Sequence, residues 1–230
     1  MGYILLEGGA EFTGRMSEPD LRAIDLAGGF DAPIAILPTA AAPDNNHERA
    51  GQRGQRWFQS LGAAHVDLVP VTDKTSASLP AFASRIRAAR LIYLLGGFPR
   101  HLGETLADSL VWQAALEAYK DGAVIAGSSA GAMVLCEHYY DPYSSKLLPG
   151  LNLLPNTCVL PHHDNFGKQW AERLTTLLPN SLLIGIDEQT GLIRNREIWS
   201  VYGAGDVTLY HGLQTEPRSK VHARGETFSI

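Results

Sequence analysis

Short apolar runs alternate with helical stretches over the first 135 residues, and this alternation restricts the fold more than any other feature. Tyr3 to Leu6, Pro33 to Leu37, Val66 to Val71, Arg90 to Leu95 and Val124 to Ala126 each read as a strand, most of them running continuously apolar. A strand buried on both sides belongs to a parallel sheet covered by helices on both faces. The segments between them, 17–29, 46–61, 79–89 and 101–120, read as helices, and Gly28–Gly29, Gly62 and Gly122 stand where helices end. Past residue 150 the pattern changes. Short strands are expected near 157–160, 182–186, 190–194, 197–202 and 206–210, with one helix over 165–178. Their close spacing predicts antiparallel hairpins that extend the sheet. The 230 residues are 45% hydrophobic, and no Pro/Ser-rich linker or charge block divides them. Residues 1–230 are therefore expected to form a single α/β domain.

In an open parallel sheet, sites form beyond the carboxyl ends of the strands. The loops Gly8–Gly9, Thr39 to Asp44, Gly96–Gly97 and Gly127 to Gly131 all fall at that edge. The last reads Gly127-Ser128-Ser129-Ala130-Gly131, a G-x-S-x-G pattern between an apolar strand and a run of helix formers. Such a turn lifts its central residue, Ser129, above the start of a helix, and its glycines remove Cβ atoms that would clash. Ser129 is the candidate nucleophile. Ser128, off centre, is expected to hydrogen-bond locally in the turn. The amides of Ala130 and Gly97 are placed to hold a developing oxyanion.

A serine hydroxyl needs a base, and the base needs an acid to hold its tautomer. Six of the eight histidines, His47, His65, His101, His138, His211 and His222, stand singly in helical or polar surroundings. "VLPHHDNFGK" instead puts His162–His163 just after a strand. In extended backbone two neighbours point to opposite sides, so one of the pair can face Ser129. "LLIGIDEQTGL" ends an apolar strand on Asp187–Glu188, where a carboxylate needs a partner. Asp141, twelve residues after Ser129, is a second candidate acid. Adjacent ligands rarely converge on one ion, and no third His or Cys stands at metal spacing beside His162-His163-Asp164. No metal and no organic cofactor is expected.

Composition narrows the partners. The net charge is -5, with Lys and Arg scattered, so neither a nucleic-acid stripe nor a membrane-surface helix is expected. Cys136 and Cys158 make no disulfide framework and read as reduced, buried residues of a cytoplasmic protein. "MGYILLEGG" lacks a basic region before its apolar run, and that run is too short for a signal peptide or a membrane span. Leu6 stands where a myristoylation signal carries Ser or Thr, so this start reads as the first strand.

Taken together these segments resemble the dipeptidase E / cyanophycinase family of serine peptidases, whose fold is of the class I glutamine amidotransferase type. "GGAE" after the first strand, "IAILPTAA", "LLGGF", "AGSSAGAMVL", "GLNLLPNTCVLPHH" and "GIDEQTGL" carry the resemblance nearly end to end. It implies Ser129 as nucleophile, His162 as base, Glu188 as acid, and Gly97 and Ala130 as oxyanion hole. Family substrates carry aspartate on the acyl side, so a cation is expected nearby. Arg100, Lys168 and Arg173 are candidates, His163 could serve at low pH, and Phe98 and Phe166 could line the pocket. Phe98–Pro99 departs from the family's polar pair after Gly-Gly, and the loop after His162 is longer than in the cyanophycinase branch. The resemblance implies a small peptide substrate and a homodimer. An esterase or amidase with the same triad, or a non-catalytic ligand-binding member of the fold, are the alternative functions. A glutamine amidotransferase carries cysteine at this turn, and Ser129 argues against one.

Overall fold

Alternate residues of the central strands enter two different apolar clusters. Strand β1 (Tyr3–Glu7) sends Ile4 and Leu6 to one and Leu5 to the other. The same division holds in β2 (Ile34–Leu37), β4 (Leu91–Leu94) and β5 (Val124–Ser128). This period of two explains why the strands read as unbroken apolar runs. In this computed structural model, which describes residues 2–211 and 219–229, both sheet faces are covered. Helices α1 (Ser17–Ala27) and α2 (His47–Ser60) cover one face. Helices α3 (Pro80–Ala88), α4 (Pro99–Leu106), α5 (Leu110–Lys120) and α6 (Ala130–Val134) cover the other.

With β3 (Val66–Leu68), β10 (Thr190–Asn195), β11 (Ile198–Gly203) and β14 (Thr227–Ser229), these strands form one sheet in the order β14-β11-β10-β1-β5-β4-β2-β3. The β1, β2, β3, β4 and β5 strands run parallel, while β10 and β11 extend the sheet antiparallel, as expected, and β14, which was not expected, adds a further antiparallel strand. Not all the later strands join it. Strands β8 (Thr157–Leu160), β9 (Leu182–Ile186), β12 (Val207–Tyr210) and β13 (Ser219–His222) form a second sheet in the order β13-β12-β9-β8. In that sheet β8 and β9 are parallel, with Leu160 opposite Gly185. A hairpin of β6 (His138–Asp141) and β7 (Lys146–Pro149) follows α6 and was not expected.

Two expected helices are divided. The 101–120 helix is α4 and α5, separated where Asp108 takes a positive φ of 56°. Ser109 then caps α5 by accepting the Trp112 N–H at 3.1 Å. Asp-Ser before an apolar run is a helix-start signal that outweighs the continuous Leu spacing. The 165–178 helix is a 3-10 turn at Gly167–Trp170 followed by α7 (Ala171–Leu177). Cys136 and Cys158 are buried and unpaired, and burial pushes the Cys136 thiol up to about 12. Among the described residues no helix is long and apolar enough to cross a membrane.

Candidate active site

The turn after β5 is built by contacts that tolerate only glycine. A Cβ on Gly127 would lie 2.4 Å from the Gly131 carbonyl carbon, and one on Gly131 would lie 2.2 Å from Leu94 O. Strand and helix backbones touch here, so the chain must reverse within the turn itself. Ser129 carries the consequence, with φ 49° and ψ -111°. A non-glycine residue at this angle is strained and persists only when its surroundings fix it. They do so through the Ser129 N–H, which donates to Glu7 O at 2.9 Å.

His162 reaches Ser129 from the second sheet. Because β8 and β9 are parallel, the residues just past their ends emerge side by side, His162 from one and Glu188 from the other. Ser129 Oγ lies 3.0 Å from His162 Nε2, and His162 Nδ1 lies 2.7 Å from Glu188 Oε1. With Nδ1 protonated and donating to Glu188, Nε2 is the free acceptor for the serine proton. The glycine pair after β1 makes room for this ring. The His162 N–H donates to Gly8 O at 2.7 Å, and a Cβ on Gly9 would lie 2.2 Å from His162 Cε1. Phe166 stacks on the imidazole at 4.9 Å. Asp164 Oδ1 accepts the Glu188 N–H at 2.9 Å, so the loop after His162 also holds Glu188.

The two adjacent histidines point apart. The His163 ring packs over Gly185, whose Cβ would lie 2.4 Å from its Cδ2. His163 Nε2 lies 2.8 Å from Tyr210 Oη, and Nδ1 lies 3.4 Å from Asp187 Oδ1. Burial holds the His163 imidazole below the usual histidine range, with Asp187 opposing. Asp141 is also spent elsewhere, since its carboxylate accepts the Tyr143 N–H at 3.2 Å and the Ser144 hydroxyl.

Ser129, His162, Gly97 and Ala130 share the lining of one cavity of about 260 Å³, with Met133, Tyr143, Phe166 and Trp170 as its apolar wall. Gly97 takes φ 138° and packs on Ala40, where a Cβ would lie 2.4 Å from the carbonyl oxygen. Ala130 is the first residue of α6, whose opening amides have no acceptor inside the helix. Phe98 and Arg100 lie outside this lining. They border a neighbouring cavity of about 370 Å³, where Phe98 stacks on Tyr143 and Arg100 pairs with Glu104 at 2.8 Å. Arg173 faces Tyr140.

A third cavity, about 450 Å³, meets the first at Gly97 and is lined by Glu11, Asp44, Arg49 and Arg53 among others. Glu11 Oε2 accepts the Ser128 hydroxyl at 3.0 Å, which gives Ser128 its hydrogen bond outside the turn. Glu11, Asp164, Arg49 and Arg53 were not selected from the sequence. The "GGAE" run was a signal for Glu11, whereas no motif marks Arg49 and Arg53 within α2. Among the described residues no group of three metal-ligating side chains occurs.

Comparison with known proteins identifies the family. The Peptidase family S51 profile matches residues 4–200. A cyanophycinase of Geminocystis herdmanii is 31% identical over 222 residues, covering 91% of this chain and 80% of that one. A cyanophycinase of Trichormus variabilis is 29% identical over 233 residues, covering 95% and 76%. The crystal structure of a peptidase from an acI-B1 Actinobacterium superposes with a TM-score of 0.87 at 30% identity, covering 100% of this chain and 97% of that one. A putative Peptidase E protein from Listeria monocytogenes, at 18% identity and a TM-score of 0.66, shares the fold. The chain belongs to peptidase family S51 and is a serine-type peptidase.

Proposed function

We propose that the protein hydrolyses small peptides, of the aspartyl-dipeptide or cyanophycin-like class, through a Ser129–His162–Glu188 triad and an acyl-enzyme. The observation that carries this reading is the unbroken chain from Ser129 Oγ to His162 Nε2, at 3.0 Å, and from His162 Nδ1 to Glu188, at 2.7 Å. Ser129 Oγ attacks the scissile carbonyl while His162 takes its proton. The Gly97 and Ala130 amides hold the tetrahedral oxygen, and each such donor is worth about 3 kcal/mol in the transition state. His162 then protonates the leaving amine, and water, activated by the same imidazole, releases the acid. Glu188 keeps the imidazole in the tautomer that accepts at Nε2.

The cavities support a division of the substrate. The apolar wall of Met133, Tyr143, Phe166 and Trp170 suits one side of the scissile bond. On the other side of Gly97, Arg49 and Arg53 offer guanidinium groups to an acidic substituent. Phe98 and Arg100 line the neighbouring cavity, while His163 supports the fold under the site. A peptide library digested with wild type and with Ser129→Ala, with cleavage sites read by mass spectrometry, tests the reading. Cuts made by wild type alone, clustered next to acidic residues, support it. Identical digests from the two proteins contradict it.

A further inference from the structure

Behind the Ser129 turn lies a group of ionisable side chains that peptide hydrolysis does not use. Glu7, the last residue of β1, and Asp20, in the first turn of α1, are both completely buried. Each carboxyl group has one oxygen satisfied. Glu7 Oε2 accepts the Tyr93 hydroxyl, and Asp20 Oδ2 accepts the Trp57 indole N–H at 2.7 Å. Glu7 Oε1 and Asp20 Oδ1 are buried with no donor near them. The two carboxyl groups nevertheless lie within hydrogen-bonding reach of each other. Two carboxylates cannot both stay ionised at that range in a dry interior, and an orphaned buried oxygen costs as much as a lost hydrogen bond. One proton between them removes both difficulties, because it turns one carboxyl into the donor that the other lacks.

We propose that Glu7 and Asp20 share a single proton, and that this pair is a positioning element for the Ser129 turn. The pair ties together three elements, since Glu7 comes from β1, Tyr93 from β4 and Asp20 from α1. Its mechanical link to the serine is the main chain of Glu7, whose carbonyl accepts the Ser129 N–H and whose register partner is Ser128. A shift of β1 at Glu7 is therefore a shift of the strained residue that carries the hydroxyl.

Among the described residues no cation is placed to offset a second negative charge. From the loop after β1 comes Glu11, itself acidic and bound to Ser128; from β4 comes the Tyr93 phenol; from α2 comes the neutral Trp57 indole. On α1, Arg22 pairs with Asp25 and Glu18 with Arg224 at the surface. On β10, Arg194 is held by the Arg196 carbonyl and lies over Trp199. Burial pushes both carboxyl groups up, Asp20 to about 7, and their mutual repulsion adds to it for Glu7. An unfolded chain gives up these protons near pH 4, whereas the folded pair holds them to higher pH, Asp20 to about 7, so stability is full below pH 4 and is lost as pH rises through 7.

Asp20→Asn tests the assignment, because the amide accepts from Trp57 and donates to Glu7 without needing a shared proton. Wild type is expected to lose roughly 5 °C of Tm between pH 5 and pH 8 at the level of one such buried group in a chain of this size. The difference between wild type and Asp20→Asn should disappear at pH 5 and grow toward pH 8. On a cleaved peptide, kcat of wild type should fall over the same alkaline range at constant KM, and Asp20→Asn should lack that fall while Asp20→Ala does not restore it. Parallel Tm profiles for wild type and Asp20→Asn would overturn the proposal. If Asp20→Asn does not fold, infrared spectroscopy of wild type alone decides. A protonated-carboxyl C=O band at pH 7 that fades by pH 9 supports the pair, and its absence at pH 7 overturns it. The Tm and infrared readings need no substrate, so they stand apart from the peptidase assignment.

Discussion

Carboxyl groups stand on both sides of Ser129, and solvent separates their behaviour. On the open side Glu188, more than a third exposed at its side chain, holds His162 at 2.7 Å. Its value lies in the hydrogen bond that it accepts. On the sealed side Glu7 and Asp20 are fully buried, and among the described residues no cation pairs with them. There a carboxyl group is a structural part that works by holding a proton. In the proposed triad the same residue type orients the base in one place, and in the proposed pair it braces a strand in the other, with burial separating the two.

This comparison can be broken from the open side first. Ser129→Ala should lower kcat by about a million-fold, the scale for loss of a triad serine, with a far-UV spectrum and Tm like those of wild type. Glu188→Gln should cost about 10⁴-fold in kcat, because an amide at 188 favours the wrong imidazole tautomer, whereas Asp141→Asn should leave steady-state rates alone. A dead Asp141→Asn enzyme would move the acid to the wrong strand. Gly9→Ala puts a methyl group where the His162 ring lies, so kcat should drop by about 100-fold with the fold preserved. A crystal structure of that variant should show the imidazole displaced from Ser129.

The sealed side is sharpened by smaller effects. His163→Ala removes a buried ring that joins Tyr210 to Asp187, and chemical denaturation should show a loss of roughly 1–3 kcal/mol. Because the folded state holds His163 neutral, the unfolded chain takes up the proton first as pH falls below about 6.5. Stability should therefore decline on that acid limb, and His163→Gln should flatten it.

The parallel half of the fold was legible because its central strands are apolar on both faces, as Ile4, Leu5 and Leu6 illustrate. The later half was less so. Strand positions such as 157–160 and 182–186 were visible, but nothing in their residues says that they leave the main sheet and pair in parallel with each other. That pairing is what joins His162 to Glu188. The serine turn was readable from its glycines, since the backbone contact they permit has no other solution. The Glu7–Asp20 pair was hidden. Asp20 sits in a helix that looks polar at its start, and only the tertiary structure brings Trp57 and Glu7 over it.

Labelling by a fluorophosphonate, located by mass spectrometry of the digested protein, tests most directly whether the hydroxyl at 129 is activated by His162. The label is expected on the peptide containing Ser129, at a rate that collapses in His162→Ala. An unlabelled Ser129 in folded wild-type protein, or labelling that proceeds equally well without His162, would contradict the account.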